Sequence, residues 1–195
     1  MRPRLLPFVV LAVLALGGCA AGSVAEAQPA HLRPATGPAA KDAVNPADVM
    51  FLQMMVAQNR QSMDIAKLAA DRSPAAEVRS LAAAIRATQE TEVRTMSGWL
   101  RAWDQPLTGK ADAHASHGGM PGPSKQQIKR LKSGSLDRFD REFLNLMISL
   151  LDDSIQMARV ESDSGANTGA KAMARQMDVS RSAQIKHMLK LVDAL

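Results

Sequence analysis

Two residue types in this 195-residue chain could support metal chemistry: methionine, present twelve times, and histidine, present four times. Thioether sulfur is a soft donor suited to Cu(I), and imidazole nitrogen also suits copper. Met50/Met54 and Met173/Met177 are spaced i,i+4, so a helix would set both thioethers of each pair on one face. Met54, Met55, Met63, Met147, Met157, Met173 and Met177 all fall at helical spacings that let them gather inside a bundle. The competing use of such residues is mechanical, because methionine is a flexible filler of irregular cores. A third donor set, His114-x-x-His117-x-x-Met120, lies in a Gly/Pro-rich segment. It could capture copper weakly there, although glycine-rich loops also carry histidine without function.

Other chemistries are poorly served. A ferritin-type iron site needs Glu-x-x-His on two helices, and that spacing is absent from the sequence. Gln184-x-x-His187 is the nearest approach, and it lacks the carboxylate. Asp152-Asp153 reads as a solvated face, and His187 as a surface residue. One cysteine makes neither an internal disulfide nor a multi-cysteine zinc site. No Gly-x-Ser-x-Gly elbow is present. The chain reads as a non-enzyme.

The lone cysteine has a different use. Arg2 and Arg4 precede a twelve-residue apolar run, Leu5 to Leu16. That run is too short for a bilayer of about 30 Å and has the layout of a secretory signal. It ends Leu16-Gly17-Gly18-Cys19, which resembles the bacterial lipobox cut before its cysteine. The resemblance implies that Cys19 is lipidated and holds the protein on the extracytoplasmic face of the cell membrane. Residues 1–18 are then a lipoprotein signal peptide and residues 19–44 an Ala/Gly/Pro-rich flexible tether. Losing Arg2 and Arg4 lowers the formal charge from +5 to +3. No basic block interleaved with aromatics remains, so nucleic acid is not an expected partner.

The elements that must position the donors are helices. With 46% hydrophobic and 22% charged residues, the composition excludes wholesale disorder, and 3% aromatics disfavours a β-sandwich or barrel. The apolar period predicts an all-α fold over residues 45–195. Asn45-Pro46 and Ser73-Pro74 each read as a helix cap followed by proline. The predicted helices run from Pro46 to about Asp71, and from Ser73-Pro74 to about Trp103. A short one follows over Ser124 to Ser133, with two more from about Ser135 to Asp163 and from about Thr168 onward. A shift of 92 residues lays Phe51–Lys67 on Phe143–Arg159, Ala82 on Ala174, Val93 on Ile185 and Met96 on Met188. The repeats, about 45–103 and 135–195, are duplicated helical hairpins that close their apolar faces as a four-helix bundle.

Asp48-x-x-Phe51-Leu52-x-Met54-Met55-Val56 with Met63-x-x-Ala66, and Phe139-Asp140-x-x-Phe143-Leu144-x-x-Met147-Ile148 with Met157-Ala158, are similar to motifs of the domain-of-unknown-function family 305. Leu81-Ala82-x-x-Ile85 and Gln89-x-x-Glu92-Val93-x-x-Met96-x-x-Trp99-Leu100 agree, as does the His117-Gly118-Gly119-Met120 segment. The resemblance covers roughly Asn45 to Leu195 and implies an exported, ferritin-like bundle from a family in which some members handle copper. It also implies a His-His pair in the first helix of each hairpin. Here those positions hold Gln58-Asn59 and Leu150-Leu151. An amide is a poor copper ligand and leucine has no donor. Adjacent helix positions lie about 100° apart, so at least one of Gln58 and Asn59 is expected to point inside and make a structural polar contact, with Gln89 or a water as partner.

The sequence therefore predicts a lipid-anchored binding or interaction module of the cell envelope, without catalysis and with a degenerate metal site. It names no protein partner. The rival is a copper-tolerance lipoprotein using Met54, Met55, Met147, His114, His117 and Met120.

Overall fold

The computed structural model describes residues 43–109 and 122–195. Within them the chain forms α1 (Pro46–Arg72), α2 (Ala76–Ala102), α3 (Lys125–Ser133), α4 (Leu136–Ser164) and α5 (Thr168–Ala194). Cys19, His114, His117 and Met120 lie outside the described residues.

Local chemistry starts most of these helices. The Asn45 side chain accepts from the Ala47 and Asp48 N–H groups, while Asp48 accepts from the Asn45 N–H, completing a capping box with Pro46 at the first position. Ser124 and Gln127 build a second capping box on α3, and Asn167 accepts from the Ala170 N–H to start α5. The expected cap at Ser73-Pro74 is corrected. The cap of α2 is Ala75, which offers no side-chain acceptor, and Ser73 instead ends α1. Its hydroxyl is drawn away to the Ala75 carbonyl and to Asp140. Asp104 closes α2 at φ 54°, a left-handed conformation that Asp tolerates better than most residues.

α1 packs along α2, α4 packs along α5, and the two hairpins meet chiefly through α1 and α4. This is the four-helix bundle expected from the repeat, with α3 as the short crossover helix. Each long helix has 27 to 29 residues, or about 40 Å at 1.5 Å per residue. Among the described residues, no helix is long and apolar enough to cross a membrane.

The interior is layered along the bundle axis. One apolar cluster joins Ile65, Ala69, Val78, Ile85, Phe139, Phe143, Met147, Leu150, Leu151 and Met188. The other joins Phe51, Leu52, Met55, Met96, Trp99, Leu100, Ala158, Met173 and Met177. Between them in chain order lie buried polar side chains from all four long helices: Gln58, Asn59 and Ser62 on α1, Gln89 on α2, Ser154 on α4 and Arg181 on α5. The candidate site belongs to this layer.

Candidate functional site

The layer is built from residues that a helical period turns inward. Gln58 and Asn59 are adjacent on α1, yet both are fully enclosed. Adjacent side chains diverge by about 100° on a helix, so the two reach different neighbours. Gln58 Nε2 donates to the Leu150 carbonyl at 2.8 Å. That partner is its own equivalent under the 92-residue repeat, so the bond crosses between the hairpins. Ser154 Oγ donates to the same carbonyl at 2.9 Å. Asn59 Nδ2 donates to Glu92 Oε2 at 2.8 Å.

The expected amide partner Gln89 is not the one used. Gln58 Oε1 and Gln89 Oε1 are both buried without a hydrogen-bond partner. Asn59 is held by Glu92 and by Arg181, whose Nη2 donates to Asn59 Oδ1 and to Glu92 Oε2, each at 2.9 Å. Arg181 Nη1 approaches Met55 Sδ at 3.8 Å. The Arg181 side chain is 2% exposed, against 16% for Glu92. Burial pulls its pKa down, and the charge of Glu92 and its hydrogen bond push it back up. A guanidinium stays protonated in proteins, so this is a buried ion pair.

Arg181 was missed by sequence reasoning, since a lone arginine in a polar-looking helix reads as solvated surface. A signal was nevertheless present. The repeat that aligns Ala82 with Ala174 also sets Arg181 on Gln89, a position the α2 period places inside.

The other candidates are dispersed. Leu150 and Leu151 are buried with Met147 in the first apolar cluster, and Met55 belongs to the second. Met54 is buried, while Met50 is half-buried and lines a surface groove with Val49, Gln53 and Trp103. Met173 and Met177 pack in the second cluster with Met55 and Met96. His187 is exposed on α5, its Nε2 at 4.0 Å from Glu77 Oε1. Among the described residues, no group of three or more His, Cys, Asp or Glu side chains is placed to hold a metal ion.

Copper, implied by the family resemblance, does not fit the polar layer. Asn59 Oδ1 is taken by a cation already, and the Met55 thioether faces that same cation. Leu150 and Leu151 offer no side-chain donor.

A second buried carboxyl lies at the end of the bundle where α4 turns into α5. Asp48 accepts from the N–H groups of Ala166 and Asn167, the latter at 2.9 Å. Beside it, Glu161 is 1% exposed. Burial first, then the neighbouring Asp48 carboxylate, raise the Glu161 pKa to about 8, with Lys171 opposing, and neither Glu161 carboxyl oxygen has a hydrogen-bond partner among the described residues. Glu161 therefore holds a proton at neutral pH.

A family model described as a domain of unknown function, DUF305, matches residues 48–192. No curated protein matches the sequence. Among solved structures, a DUF305 fragment from Deinococcus radiodurans aligns with a TM-score of 0.69 at 27% identity, covering 78% of this chain and 99% of that one. A DUF305 protein from Streptomyces coelicolor aligns with a TM-score of 0.69 at 29% identity, covering 76% and 93%. CopM in its Cu(II)-bound form aligns with a TM-score of 0.62 at 24% identity, covering 75% and 96%. At that identity the likeness to CopM is one of fold.

Proposed function

This chain belongs to the DUF305 family, and on that footing we propose that it is an exported, lipid-anchored protein of the cell envelope whose bundle is a non-catalytic binding or interaction module. The observation that supports this reading is the filled polar layer. Gln58 Nε2 and both polar atoms of Asn59 are engaged by Leu150, Glu92 and Arg181, and the acceptor left without a partner at these positions, Gln58 Oε1, is an amide oxygen, a poor copper ligand. The anchor is Cys19, the tether spans residues 19–44, and the folded domain begins at residue 45. Several acyl chains on Cys19 would exceed what stable anchoring needs, at about 0.8 kcal/mol per buried CH₂.

The test is expression of the full chain in a bacterial host supplied with a labelled fatty acid. Label on the protein, a membrane-bound pool, and loss of both in Cys19→Ser support the anchor. An unlabelled protein released with the soluble fraction overturns it.

A second reading is favoured by the donor set His114-x-x-His117-x-x-Met120, and structures of CopM are known in Cu(I)- and Cu(II)-bound forms. In it the protein is a copper-binding lipoprotein that collects the ion outside the bundle core. Stoichiometric Cu(I) binding against a competing chelator, abolished in His114→Ala/His117→Ala, would establish that reading over the first.

A further inference from the structure

We propose that Arg181 is the resident cation of this bundle: its guanidinium fills the ion-sized place between Asn59, Glu92 and Met55, and the core takes no metal ion while it is there. The inference concerns the polar layer alone and does not depend on the anchor or on the loop donors.

Three acceptors converge on one cation. They are an amide oxygen and a carboxylate oxygen, each 2.9 Å from Nη2, and a thioether sulfur 3.8 Å from Nη1. Two oxygens and a sulfur with one negative charge among them form a set that a cation can occupy, and the thioether is the donor in it that suits Cu(I). The chain supplies that cation itself, on a side chain that cannot dissociate. Asn59 Nδ2 closes the arrangement by donating to Glu92 Oε2, leaving the carboxylate held from two sides.

The duplication shows how the site came to be singular. Under the 92-residue shift Asn59 falls on Leu151, Glu92 on Gln184 and Gln89 on Arg181. The first hairpin keeps the acceptors and the second supplies the cation. The reciprocal combination of Leu151, Gln184 and Gln89 has neither charge. With Arg181 in place the site is neutral as a whole, and its sulfur faces a positive group. An incoming Cu(I) or Ag(I) would have to displace a tethered competitor whose effective concentration is set by the fold.

The experiment uses Ag(I) as a soft, redox-inert probe and reads the Met55 methyl resonance in protein labelled at methionine methyls. That signal reports the core, where Met55 is fully buried, and each titration is repeated in a His114→Ala/His117→Ala background to remove the loop donors. In the wild type, Ag(I) is expected to leave the Met55 methyl unmoved. In Arg181→Ala it should shift at about one equivalent, and millimolar guanidinium should compete the Ag(I) away and raise the lowered Tm. Arg181→Lys covers the case in which Arg181→Ala does not fold. It keeps the charge, and its Met55 methyl should stay as unmoved as in the wild type. The proposal is overturned if Ag(I) shifts Met55 in the wild type, if Arg181→Lys admits the ion, or if folded Arg181→Ala responds to neither cation.

Discussion

Glu161 couples the stability of the fold to pH through a single proton. Its carboxyl is enclosed against Asp48 and its pKa is raised to about 8 from an ordinary 4.5. Between those values the native chain holds a proton that the unfolded chain has released, so stability falls as pH rises through the window. Below it both states are protonated, and above it the loss is complete. At roughly 1.4 kcal/mol per unit the effect is several kcal/mol at its ceiling. Glu161→Gln keeps the shape but cannot ionise. It is expected to leave the urea midpoint unchanged near pH 5 and to raise it clearly at pH 8. Equal midpoints for the two proteins at pH 8 would refute the assignment. Neither Glu161 nor Arg181 was legible from its own neighbourhood in sequence. Each sits in a helix among polar residues, and its burial is decided by groups on other helices, namely Asp48 for one, and Asn59 with Glu92 for the other. Burial of a charge is a tertiary fact, and amphipathic periodicity carries only a local one. That Leu150 and Leu151 bring no side-chain donor was legible, because residue type alone decides it.

At the scale of elements, a pair of aspartates ties each hairpin to the turn of the other. Asp48 on α1 accepts from the Ala166 and Asn167 N–H groups in the α4–α5 turn as well as from Asn45. Asp140, its equivalent on α4, accepts from the Ser73 hydroxyl in the α1–α2 turn. The device is duplicated but unequal, with three backbone N–H groups on one aspartate and one hydroxyl on the other. Asp48→Ala strands donors that lie at a helix start, and a cost of about 2–4 kcal/mol follows from charged hydrogen bonds worth roughly 1.5–3 kcal/mol each, lost non-additively. Asp140→Ala removes one such bond and is expected to cost about half as much, both read from urea unfolding. Comparable losses for the two would sink the argument. The α4–α5 turn also needs room, since a Cβ on Gly165 would collide with the carboxyl and the backbone carbonyl of Glu161. Helix boundaries were mostly legible because Asn45, Ser124 and Asn167 are caps whose chemistry is complete within three residues. Ser73-Pro74 misled because its hydroxyl serves a contact 67 residues away, which no local pattern contains.

For the whole molecule, the polar layer decides which hairpin pairs with which. Both apolar clusters draw residues from both hairpins, so neither hairpin has a core of its own, and helices without tertiary packing are marginal in water. The repeat offers a tempting error in which a hairpin pairs with a second copy of itself. Two first hairpins would enclose two Glu92 carboxylates with no guanidinium. Two second hairpins would enclose two Arg181 guanidinium groups facing Leu151 and Gln184. Either pairing strands a charge whose partner is missing, at about 3–5 kcal/mol for each broken pair, whereas the native pairing satisfies both. Hydrophobic burial thus makes association favourable, and the ion pair makes it specific. Produced separately, residues 43–109 and 122–195 are expected to show weak helical circular dichroism. Mixed in equal amounts, they should regain the helical signal and sediment as a one-to-one complex. Replacing the pair by Glu92→Gln and Arg181→Gln removes the penalty on self-pairing, and homodimers should then compete, the preference falling by about two to three powers of ten. If either native fragment alone forms a helical homodimer as stable as the mixture, the charges are not what selects the partner.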